Sequence, residues 1–118
     1  MKNFLAVFTG TDEATAKSGW NALSESAQHE RTQAGMNAWH AWMEANKKHV
    51  VVTGSPVGKT KRVSPAGIQD ARNSICAYAV VSAESHEAAA RMFEGHPHFS
   101  IFPGEAVEIM ECLPVPGA

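Results

Sequence analysis

Two stretches of this chain, Asn3-Phe4-Leu5-Ala6-Val7-Phe8-Thr9 and Ile75-Cys76-Ala77-Tyr78-Ala79-Val80-Val81, are apolar on both of their alternating faces. Successive side chains of a strand point to opposite sides of the sheet, so a strand with two apolar faces has to be covered on both. This requirement limits the possible folds more than any motif does. The cover for one face can be read nearby. From Glu25 to about Lys48, Met36, Trp39 and Met43, then Ala38, Trp42 and Ala45, recur at helical spacing, which predicts one long amphipathic helix with Gly35 as its weak point. A second, shorter helix is expected from an N-cap at Ser85, with Glu87 in its first turn and Ala88, Ala89, Met92 and Phe93 as its apolar stripe, ending at Gly95.

His49 to Thr53 is β-branched, Lys59 to Ser64 alternates, and Ala106 to Cys112 supplies a last strand. Pro65 to Ser74 reads as a loop, Asp12 to Ser24 as a short helix or loop, and Leu113 to Ala118 as a tail too rich in proline to pair. The order of elements is that of an α+β, ferredoxin-like split βαβ domain, with an antiparallel sheet and both helices on one face. The helices leave the other apolar face open. A second copy is expected to cover it, giving a homodimer through the sheet face, a dimeric α+β barrel.

The length of 118 residues suits a single domain spanning 1–118. Ten basic residues against 12 acidic ones give a net charge of -2, which argues against nucleic acid and against acidic membranes as partners. Met1-Lys2-Asn3-Phe4 leads into an apolar run too short for a signal peptide or a membrane span, so a cytoplasmic location is expected. Cys76 and Cys112 lack CxxC spacing and read as small buried hydrophobes rather than redox thiols.

Thr53 to Val63, TGSPVGKTKRV, imitates a phosphate-binding loop. Only Ser55, Pro56 and Val57 separate Gly54 from Gly58, one residue fewer than such a loop needs, and no amphipathic helix follows Thr60. The stretch reads instead as a turn followed by the charged arm Lys59-Thr60-Lys61-Arg62. That arm is either an ordinary charged edge strand or a source of cations near a pocket mouth.

From Tyr78-Ala-Val-Val-Ser-Ala-Glu-Ser-His-Glu-Ala-Ala88, through His96-Pro97, to Val107-Glu108-Ile109, the chain resembles the YCII-related proteins and their DGPF-type branch. The resemblance follows the element order over most of the chain and is specific in roughly the C-terminal third. It implies a ferredoxin-like fold dimerising sheet to sheet and a small-molecule pocket. Two features differ. The DGPF tetrapeptide is absent, and the family's suggested acid/base dyad, an aspartate before the proline with a histidine near the first strand, is not present, because His96 precedes Pro97 and no histidine precedes His29.

The strongest candidates for chemistry are His96 and His98, because a His-x-His pair in extended backbone puts both imidazoles on one face and histidine titrates near neutrality. The competing reading is a helix-ending turn in which they cap backbone groups. Arg72 and Asn73, with Lys59 and Arg62, are the expected substrate-binding residues, the cations orienting an anionic group on a small metabolite. No spacing supplies a third metal ligand beside the histidines, so neither a metal nor a cofactor is expected. Trp39, Trp42, Met36 and Met43 read as core rather than as a cofactor cage, and His40, His49 and His86 as solvated. Two functions remain open: a cofactor-free enzyme using histidine acid/base chemistry, and a metabolite-binding or accessory protein that makes no bond.

Overall fold

The computed structural model describes residues 1–117. Its main sheet has four strands, β1 (Lys2–Thr9), β2 (Val50–Pro56), β5 (Ile75–Ala83) and β6 (Ala106–Glu111), in the order β2-β5-β1-β6 with every neighbour antiparallel. The two doubly apolar strands are the central pair, joined from Lys2 opposite Ala83 to Phe8 opposite Ala77. This is the ferredoxin-like order, and both covering helices, α2 (Glu25–Ala45) and α3 (His86–Arg91), lie on one face. Phe4, Ala6 and Phe8 of β1, with Ala77, Ala79, Val81 and Ala83 of β5, form the core beneath Ala89 and Phe93, with Trp39, Trp42 and Met43 packed against them. The small residues on β5 leave room for the large rings of β1 and α2, as close packing demands.

The long helix is held at several points along its length. Ser24 caps its start by accepting from the Ala27 amide, and Arg31 Nη2 donates to the Ile101 carbonyl at 2.7 Å. Gly35 is buried where Phe102 packs, so the expected weak point is a contact site. Further along, Trp42 Nε1 donates to the Met92 carbonyl at 3.0 Å, satisfying a part-buried indole and tying α2 to the segment after α3.

The stretch from Asp12 to Ser24 holds a short helix, as one of its two expected forms: Thr11 caps α1 (Asp12–Lys17), which a single 3₁₀ turn at Trp20–Ala22 follows. Other elements differ from the sequence expectation. β2 does not stop at Thr53. It continues through Gly54, Ser55 and Pro56 because Gly54 takes a φ of +70°, and the register shifts against β5 on either side of Val52. Any Cβ there would strike the Tyr78 carbonyl. The stretch expected to be a loop contains a strand: β3 (Thr60–Ser64) and β4 (Gly67–Ala71) form a two-stranded hairpin of their own, turning at Pro65-Ala66. His96-Pro97-His98 is not extended either, for Pro97 opens α4 (Pro97–Ser100). The tail from Leu113 is unpaired, and Ala118 lies outside the described residues.

On the sheet face away from the helices, strand alternation and register place Leu5 and Val7 of β1 beside Tyr78 and Val80 of β5, Val52 of β2, and Glu108 and Met110 of β6. Val52, Tyr78 and Met110 are exposed there, while Val7 at the middle of the row is buried. No helix among the described residues is long and apolar enough to cross a membrane.

Candidate functional site

Between α2 and the end of the sheet where β1 and β2 finish and β5 begins lies a cavity of about 760 Å³. Its walls are mostly apolar, with Met36, Trp39 and Met43 from α2 facing Ala77 and Tyr78, and Phe102 closing one side. Polar groups enter from Thr11, Asp12 and Thr15, from Thr53 and Ser55, and from His40, Cys76 and His98. α2 meets the sheet here through large side chains, and Gly54 and Gly10 form part of the facing wall.

His98 is 6% exposed and belongs to the cavity wall. Its Nε2 donates to the Thr9 carbonyl at 2.7 Å, which fixes the tautomer and leaves the lone pair on Nδ1. Thr9 is itself held from both sides, its hydroxyl donating to Glu105 Oε1 at 3.0 Å and its carbonyl also accepting from the Glu105 amide at 2.9 Å. The ring rests against Gly104, where a Cβ would overlap the imidazole and the His98 carbonyl. Burial lowers the pKa of His98, and the bond to Thr9 partly opposes that shift. His98 is therefore a neutral, oriented imidazole at the wall of an apolar cavity.

His96 has another role. It is fully buried, and its Nδ1 accepts from the His98 amide at 3.0 Å, capping α4. Its ring stands edge-on to Trp39 at 4.6 Å between centroids and lies 4.9 Å from Trp42, with Phe8 and Phe93 completing the enclosure. Nε2 is buried with no hydrogen-bond partner among the described residues. Desolvation, with a smaller contribution from His98, lowers its pKa to about 4. His96 does not line the cavity. It holds His98 in place by fixing the backbone between them, so the reactive pair expected from His-x-His becomes one cavity histidine and one supporting histidine.

Lys59, Arg62, Arg72 and Asn73 also lie outside the cavity lining. They sit on or beside the β3–β4 hairpin, where Asn73 bonds the Thr60 hydroxyl and the Ile75 amide. The reason is the hairpin itself: paired strands carry these residues away from the sheet, whereas a loop would have folded back over it. The lining contains Asp12 and no lysine or arginine, so a single chain offers an anionic ligand no cation among the described residues. Of the histidines expected to be solvated, His40 and His86 are exposed, although His40 also lines the cavity and the His86 ring stacks on Phe4 with Nε2 donating to the Ile109 carbonyl at 2.7 Å; His49 is half-buried, with Nδ1 buried. Trp39, Met36 and Met43 serve as both packing and cavity wall.

Sequence reasoning missed Cys76. Both cysteines are exposed rather than buried, and Cys76 lines the cavity. It stands where the β1–β5 register shifts beyond Phe8, with its sulfur close to Gly10. Partial burial and then Glu105 raise its pKa, so the thiol stays protonated near neutrality. No group of three His, Cys, Asp or Glu residues among those described could hold a metal ion.

No family model matches the chain, and no curated protein matches it by sequence. Among solved structures it is similar to 5-chloro-2-hydroxyhydroquinone dehydrochlorinase (TftG) from Burkholderia phenoliruptrix AC1100, in complex with 2,5-dihydroxybenzoquinone, with a TM-score of 0.52 and 15% identity over 91% of this chain and 89% of that one. The shared property at that identity is the fold: a small α+β domain with an antiparallel sheet and its helices on one side.

Proposed function

We propose that this chain is a small-molecule enzyme of the YCII-related kind, which works as a homodimer through its open sheet face and uses His98 as a cofactor-free base. The observation that carries the reading is the His98 imidazole itself, held neutral in the wall of a half-open apolar cavity with one nitrogen committed to Thr9 and the other bearing the lone pair. A base that is already deprotonated and oriented is ready to take a proton from a bound ligand without reorganising. The imidazolium formed would be poorly solvated, and its Nε2–H faces a carbonyl rather than a carboxylate. This favours chemistry in which the proton is returned within the same turnover. Removing a proton from one ligand atom and delivering it to another gives isomerisation, and delivering it to a departing group, which leaves as its conjugate acid, gives elimination.

The lining also suggests the ligand. Trp39, Phe102, Met36 and Met43 suit a flat ring, the threonines, Ser55 and His98 suit hydroxyl groups on it, and Asp12 without any cation disfavours a carboxylate. An uncharged hydroxylated ring fits these conditions better than the anion expected from the sequence. The neighbour TftG is named for a chlorinated hydroxyhydroquinone, a ring of related kind. Catechol and hydroquinone are suitable neutral probes, with benzoate as the anionic contrast, each titrated calorimetrically into wild type and His98→Asn. The expected result is measurable binding of a neutral ring, weakened about tenfold or more by the substitution. Benzoate binding as tightly as catechol, or indifference to His98→Asn, would overturn the assignment.

A second reading is favoured by the lack of an acid behind His98: a metabolite-binding protein in which Nδ1 only accepts a hydrogen bond. The two separate on proton exchange. A base catalyses wash-in of solvent deuterium at ring positions of a bound phenol, whereas an acceptor leaves the ligand unlabelled.

A further inference from the structure

The hairpin of β3 and β4 leaves the main sheet after Pro56 and returns at Ile75. Every residue of its two strands is exposed or half-buried, and the strands pack chiefly against each other. A two-stranded hairpin is at best marginally stable in water. Near its turn Val63 and Ile68 stand directly opposite each other, 76% and 71% exposed, an apolar pair turned to solvent where an edge hairpin would carry polar residues. The charge is segregated as well. Lys59, Lys61, Arg62 and Arg72 fall in this short stretch with Asp70 as its one acid, while every other acidic residue of a chain with 10 basic and 12 acidic residues lies outside it.

We infer that this hairpin is a clasp, which grips the open sheet face of a second copy while that copy's hairpin grips back. The inference rests on the homodimer reading above and adds which segment makes the grip. The partner surface is complementary in both respects: Val52, Tyr78 and Met110 present exposed apolar side chains, and Glu108 stands in the same face beside them. The topology agrees. The hairpin springs from β2 and β5, the two strands at one side of that face, so under a two-fold axis each arm runs off its own sheet edge onto the neighbouring sheet. The residues expected from sequence to be substrate cations, Lys59, Arg62 and Arg72, are then contacts between copies.

The test uses the full-length chain at 0.1 M salt, with dissociation constants from sedimentation equilibrium. Wild type is compared with the double variants Val63→Glu/Ile68→Glu and Lys61→Glu/Arg62→Glu, both at solvent-exposed positions, and circular dichroism checks the fold of each. The clasp requires a wild-type dimer whose dissociation constant rises at least about tenfold in each variant. Amide exchange over residues 60–71 should be slow in the dimer and fast in a monomeric Val52→Glu chain. A wild-type dimer unaffected by both double variants, or an arm whose amides exchange equally fast in dimer and monomer, overturns the clasp and leaves the sheet-face dimer standing. A monomeric wild type overturns both.

Discussion

His96 and His98 are separated by one proline, yet burial gives them different tasks. His96 refuses a proton: its folded pKa of about 4 lies below the ordinary 6.5. Below pH 6.5 the unfolded chain takes up a proton that the folded chain does not, so stability is full above that pH, falls as the pH drops towards about 4, and loses nothing further from this group below it. Each pH unit across that window changes stability by about 1.4 kcal/mol, so His96 alone accounts for a loss of about 3 kcal/mol. Urea unfolding at pH 7 and pH 5 should show most of the loss, and His96→Gln should flatten the difference while lowering stability at pH 7. Loss of the buried cap and of the ring packing should cost that variant about 1–3 kcal/mol at pH 7. His98 is lowered in the same direction, so if it acts as the base, kcat/KM should keep its plateau below pH 6.5 before the acid limb sets in. Gly104→Ala is the test of its seat: with a Cβ driven into both the imidazole and the His98 carbonyl, ligand binding and thermal stability should fall together.

At the scale of elements, the most exacting position is Gly54. Its left-handed backbone lets β2 continue past Thr53 and form one rim of the cavity, and the Tyr78 carbonyl occupies the space of any side chain. Gly54→Ala should cost more than about 3 kcal/mol by thermal or urea unfolding, since it combines positive-φ strain with a backbone clash. The central strands, the long helix and the Ser85 cap are legible in the sequence because apolar periodicity and capping chemistry are local. β3 is legible as the alternating stretch from Lys59 to Ser64, but β4 is not, because Gly67-Ile68-Gln69-Asp70-Ala71 carries no alternation and becomes a strand only when paired with Thr60–Ser64. His98 is legible as a candidate, but its role is not. In sequence Pro97 suggests a fixed extended backbone, whereas in the fold it starts a helical turn, and the acceptor on Thr9 lies 89 residues away. The cavity is hidden for the same reason, as Cys76, His40 and Thr53 meet only after β1, β2 and α2 have come together.

The molecule as a whole is thin, with extents of 54 × 42 × 19 Å, because one sheet carries helices on a single side. Pairing two such layers across their bare faces would bury the row from Leu5 to Met110 and restore the usual depth of a core. Met110→Glu is therefore expected to give a folded monomer by light scattering, since the side chain is 42% exposed in the isolated chain and its charge is costly only within an interface. A Met110→Glu chain that remains dimeric at micromolar concentration would count against this face as the contact. One further property follows from the placement of the indoles. The chain has three tryptophans, at 20, 39 and 42, and only Trp39 looks into the cavity, with its other side against His96. An aromatic guest would therefore dim one emitter of the three and leave the others lit, so the protein reports its own occupancy by intrinsic fluorescence, and a Trp39→Phe chain supplies the dark control.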